Sequence, residues 1–163
     1  MPSFENDVLN KRSSEIKEAP LKPVGQYLWL IVGPHVEGES SQKKTKWLGW
    51  NIKCMGGADD STNAAIAEYE ANCQSAGLQN YKVTDWSWKP STMSGCRFWV
   101  TEDAVIQLKT FLINALSIDE GTKTLREMLA EAPGKQFYQN VGHRPSQDGT
   151  RMFNELQGTA AKV

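Results

Sequence analysis

The chain has 163 residues, 39% of them hydrophobic and 23% charged, and its 18 basic and 19 acidic side chains leave a net charge of −1. That length can bury one real core. The balanced charge excludes a whole-chain field that draws in nucleic acid, so any such binding needs a local basic strip. The longest apolar run, Tyr27 to Val32, is far short of a bilayer span. Cys54, Cys73 and Cys96 are too widely spaced for a disulfide framework or a zinc site. With no apolar signal core at the N-terminus, a cytoplasmic protein with reduced thiols is expected, off the membrane.

Residues 1–24 are polar and mixed in charge, with Pro20 and Pro23 ahead of the first strong strand. They read as a flexible leader in which Val8, Leu9 and Ile16 support only a weak helix. Gln26 to Val32 is apolar on both faces, a strand covered on two sides, and Gly33-Pro34 marks a bend or bulge. Glu37 to Lys46 reads as a polar loop carrying Lys43, Lys44 and Lys46. Trp47 to Met55 resumes as a strand, with Leu48, Trp50, Ile52 and Cys54 alternating against Trp47, Gly49, Asn51 and Lys53.

Asp59 to Gly77 predicts a helix capped by Ser61 or Thr62, with Ile66, Tyr69 and Cys73 on one stripe and Gly77 at its end. Tyr81 to Trp88 alternates as a strand that pairs with Cys96 to Val100 across a Pro90 to Gly95 turn. A second helix follows over Ala104 to Ser117, capped by Thr101, with Glu102 and Asp103 at its positive end. Thr124 and Glu127 form a capping box for a short helix ending at Pro133-Gly134. Lys135 to His143 and Arg151 to Leu156 close the chain as a hairpin, and residues 159–163 are left as a short tail.

This order predicts a mainly β protein with helical insertions (α+β): an OB-fold-like barrel of five or six strands with two or three helices, over residues 25–158. An open α+β sheet accommodates it nearly as well.

No catalytic motif competes for the function. His35 and His143 have no nucleophile or carboxylate at a motif spacing, and the chain lacks both glycine-rich phosphate cradles. A non-enzyme without metal or cofactor is expected. The alternative in that class is a site assembled across the fold around His143.

The tryptophans are more suggestive, six in all. On an extended strand Trp86 and Trp88 share a face with Lys82 and Thr84, and Trp47 opens another strand beside the lysine loop. Stacking of bases on such rings is worth roughly 1–3 kcal/mol each, while lysines neutralise phosphates. The competing reading puts the same indoles in the core. Arg144 and Arg151 flank the last hairpin turn, so the two loops that clasp an oligonucleotide in OB-folds would both be basic. The candidate nucleic-acid contacts are therefore Lys43, Lys44, Lys46, Trp47, Lys82, Trp86, Trp88, Arg144 and Arg151.

The run Gly95 to Ala104, the helix end Phe111 to Asp119, Gly134 to Phe137, His143 to Gly149 and Phe153 to Glu155, with Gly25-Gln26-Tyr27 at the first strand, resemble a phage-encoded family. Its members are OB-fold-like single-stranded DNA-binding or recombination-accessory proteins. The helical segment Asp59 to Gly77 departs from that pattern, and the tail lacks the acidic residues by which many such proteins recruit partners. The resemblance implies a non-catalytic protein of the host cytoplasm that serves phage DNA replication or recombination. Its partners would be single-stranded DNA, replication or recombination proteins and, across an open sheet edge, a second copy. The alternative is an adaptor whose Trp-rich face docks onto a replication or host protein.

Overall fold

The computed structural model describes residues 20–91 and 96–163. Most of the expected leader, and residues 92–95 of the turn after Pro90, lie outside the described residues. Two long strands come first, β1 (Gly25–Glu39) and β2 (Lys46–Gly57). Helix α1 (Asp60–Ser75) follows, then a 3-10 turn at Val83–Asp85 and two short strands, β3 (Ser87–Trp88) and β4 (Arg97–Trp99). Helix α2 (Val105–Thr110) continues as a π-helical turn over Phe111–Ala115, and α3 is Leu125–Ala130. Strands β5 (Gln136–Pro145) and β6 (Met152–Lys162) end the chain.

The strands form one antiparallel sheet in the order β3–β2–β1–β5–β6, with β4 also on β2. The protein is thus mainly β with helices, and its sheet is open. Among the described residues the β6 edge and the β3/β4 edge do not pair with each other. Helix α2 and its π turn pack against β4 on one side and β6 on the other, filling the space where a barrel would close.

The alternation read from the sequence holds where a strand has one buried side. Tyr27, Trp29 and Ile31 of β1 are buried, as are Leu48, Trp50, Ile52 and Cys54 of β2. The other side of β1 is less covered than expected: Leu28 and Leu30 are half-buried and Val32 is exposed. At Gly33 the backbone takes a positive φ of 74° and the β1–β2 register slips between Val32 and Val36, the expected bulge. The strand then resumes to Glu39, so the loop is only 40–45.

In α1 the predicted stripe Ile66, Tyr69 and Cys73 is buried, joined by Thr62. The cap is Asp59, whose carboxylate accepts the Thr62 N–H at 2.7 Å, displacing the expected Ser61 or Thr62. Thr124 caps α3 as expected, accepting the Glu127 N–H at 3.2 Å, whereas Thr101 accepts the Ala104 N–H at 3.1 Å in the turn ahead of α2, whose own cap position is Ala104 with no side-chain bond. Residues 159–162, expected as a tail, extend β6.

The one element misread is Tyr81 to Trp88. The Glu70 carboxylate of α1 accepts the Val83 N–H at 3.0 Å, and the Asp85 and Trp86 N–H groups turn back onto the carbonyls of Lys82 and Val83. Only Ser87 and Trp88 remain extended. They and β4 do not pair with each other: both pair with β2, at Ile52–Lys53 and at Trp47–Gly49.

Candidate nucleic-acid interface

The 3-10 turn breaks the face on which Lys82, Trp86 and Trp88 were expected to lie together. Lys82 is exposed, Trp86 half-buried, and Trp88 buried at 8% exposure. Trp86 packs at 5.0 Å from Trp29, 5.2 Å from Trp88 and 5.9 Å edge-on to Tyr27. The core reading therefore holds for Trp88, while Trp86 packs half-buried against that core.

The Lys22 ammonium closes the cluster from outside, 4.6 Å from the Trp86 ring. Burial lowers its pKa from the ordinary lysine value. The segment carrying it is tied down at three points. Asn154 accepts the Lys22 N–H at 3.2 Å and donates to the Lys22 carbonyl at 3.1 Å, and His143 Nε2 donates to that carbonyl at 2.8 Å. This nitrogen of His143 is thus spent on holding residue 22, which argues against a site built around it. Burial pushes the Cys54 thiol up to about 11 and that of Cys96 to about 12, so neither is a ready nucleophile. Among the described residues no group of three His, Cys, Asp or Glu side chains could hold a metal ion. No described helix is long and apolar enough to cross a membrane.

The two basic loops do not converge either. Gly25, at the start of β1, pairs with Val141 and Glu39, at its end, with Lys46. The β1–β2 turn and the β5–β6 turn therefore sit at opposite ends of β1, about 45 Å apart along the strand at ~3.3 Å per residue. Arg144 is half-buried and paired with Glu155 at 3.1 Å, and Arg151 is exposed beside the far turn.

What the fold does assemble lies at the β1–β2 end. Lys43 and Lys44 project from a tight turn in which the Ser40 hydroxyl accepts the Thr45 N–H at 3.0 Å and Lys44 adopts a positive φ of 50°. Lys46 is exposed and its carbonyl accepts the Val100 N–H at 2.8 Å, which brings β4 alongside. Trp47 pairs directly with Trp99. The Arg97 guanidinium lies over both rings, 5.7 Å from Trp47 and 5.0 Å from Trp99, each a cation–π distance.

Trp47 is itself 7% exposed, its indole laid against the cross-strand Gly38, where any Cβ would collide with the ring. So covered, it is not the expected platform. Trp99, at 37%, is the exposed ring. Sequence reasoning passed over Arg97 and Trp99 as contacts. The available signal was their i, i+2 spacing, which puts both on one face of a strand.

Beside this stack a groove of about 520 Å³ runs between the end of β1 and α3, floored by Trp47, Leu48, Leu125 and Leu129 and edged by Glu37, Glu39, Lys46 and Arg126. No protein-family model matches the chain, and comparison with curated proteins finds no match.

Proposed function

We propose that the protein is a non-catalytic single-stranded DNA-binding protein on an OB-like scaffold, acting in phage DNA replication or recombination. One observation carries the reading: an exposed indole, Trp99, with the Arg97 guanidinium 5.0 Å from its ring, at the end of the sheet where Lys43, Lys44 and Lys46 are also exposed. A flat ring for a base beside cations for phosphates is the composition of a single-strand platform. The meander of β1, β2 and β4, the helical connection, and the return of β5 to the far side of β1 support the OB-like part.

Fluorescence anisotropy with labelled oligo-dT and with duplex, at two salt concentrations, tests it. Four cations on phosphates give a slope of log K against log salt near −3, from about −0.7 per contact on a single strand. Trp99→Ala weakens binding at least fivefold, and Lys43, Lys44 and Lys46 changed together to Ala flatten the slope. No oligonucleotide binding at low salt sinks the proposal. The groove beside α3 favours the second reading, an adaptor taking an apolar peptide segment. One dominant protein partner, with no DNA binding, selects it.

A further inference from the structure

A second cleft, of about 330 Å³, lies between β4, the α2–π segment and the β5–β6 pair. Phe98 and Phe111 make its aromatic wall, 4.9 Å between ring centroids, and Ile106 stands exposed at its edge. The side-chain amides of Gln107, Asn114 and Gln139 line it. Gln139 Nε2 donates to the Gly158 carbonyl at 3.1 Å, which fixes that amide and leaves its oxygen as an acceptor. Gln107 and Asn114 make no side-chain hydrogen bond among the described residues, so their donors and acceptors remain available.

None of the ten lining residues is ionisable. A charged ligand entering this cleft would lose water without gaining a counter-charge, which is costly. A neutral one faces no such penalty. An apolar, aromatic pocket with a few convergent polar groups is the usual form of a small-molecule site, and this volume is at the small end of that class. Amide side chains match the paired donor and acceptor on a base edge, and phenyl rings stack on its face. The wall is also a π-helical turn, an irregularity that concentrates at functional sites.

We infer that this cleft binds a neutral, flat heterocycle of nucleobase type, either as a free nucleoside or as a base splayed from a strand. The inference does not rest on the single-strand reading, because the cleft is lined by residues distinct from the Arg97–Trp99 stack. Trp50 supplies a reporter. Its ring packs 5.6 Å from Phe111 and 6.2 Å from Phe98, and its buried Nε1–H has no partner among the described residues.

The test is an NMR titration of the full chain, reading the Trp50 indole N–H signal, with adenosine, thymidine and adenosine monophosphate. Adenosine is expected to shift the signal saturably at millimolar concentration or below, with the monophosphate no tighter. Asn114→Leu and Gln107→Leu, both at exposed positions, weaken binding about tenfold each, the value of one hydrogen bond. Ala160→Trp fills the cleft and abolishes the shift.

No saturable shift with either nucleoside overturns the inference. So does a monophosphate preference that vanishes with salt, or wild-type affinity in both leucine variants. The source of the base is read from oligo-dA: an equal loss in Asn114→Leu assigns a base of the strand, and unchanged oligonucleotide affinity assigns a free nucleoside. Loss of oligo-dT binding with adenosine binding intact would strike the single-strand reading alone.

Discussion

Adding one methyl group at Gly49 forces two backbones apart. Gly49 faces Arg97 across the β2–β4 pair, and a Cβ there would overlap the Cys96 carbonyl oxygen, lie 2.6 Å from Pro90 Cβ and come within 2.9 Å of Arg97 Cα. None of these atoms is the end of a flexible side chain. Restoring ordinary contact of ~3.5 Å to Pro90 alone needs a shift of about 0.9 Å. The overpacking costs about 1–3 kcal/mol. The movement also strains the bond from the Trp50 N–H to the Cys96 carbonyl, now 3.1 Å, worth about 1 kcal/mol more.

Gly49→Ala should therefore cost about 2–4 kcal/mol, which in a chain of this size lowers the thermal midpoint by about 10 °C. Circular dichroism melting reads it directly. Gly142→Ala is the control, since the three atoms nearest a Cβ there all belong to the amide end of the exposed Gln157, which can swing into solvent, at a cost below about 1 kcal/mol. If the two variants melt together, the reasoning from backbone proximity is wrong.

Two further predictions concern the β5–β6 hairpin. Asp148 accepts hydrogen bonds from the Ser146 hydroxyl at 2.5 Å and from the Thr150 hydroxyl and N–H at 2.8 and 3.0 Å, and these pull its pKa down to about 2. A lowered carboxylate favours the folded turn above its ordinary value of ~3.9, and the contribution disappears as pH falls through about 2. The carboxyl carbon signal should titrate near that lower value, and Ser146→Ala should raise the midpoint. A native midpoint at the ordinary value contradicts the assignment. Removing both Asn154 bonds by Asn154→Ala should speed hydrogen exchange at the Lys22 amide about tenfold. Unchanged exchange would mean that His143 alone holds the segment.

Local pattern was enough to place the helices and five of the six strands. Period-two alternation identified the set Leu48, Trp50, Ile52 and Cys54, and the stripe Ile66, Tyr69, Cys73 was visible at helical spacing, whereas in β1, apolar on both faces, the sequence did not tell the buried side of Tyr27, Trp29 and Ile31 from the other. These are properties of neighbouring residues on one element, and solvent exclusion enforces them wherever the element docks. Alternation says which side chains share a face and not what covers that face. The fate of Trp47, Trp86 and Trp88 therefore waited on Gly38, Lys22 and Trp29, each on another segment of the chain. The strand at Tyr81 was overruled by a carboxylate on α1. Pairing along β1 held the two basic turns at opposite ends, and the β2–β4 register, which no local signal encodes, set Arg97 and Trp99 beside Trp47. A site built from cross-strand neighbours becomes visible only once the strands have paired.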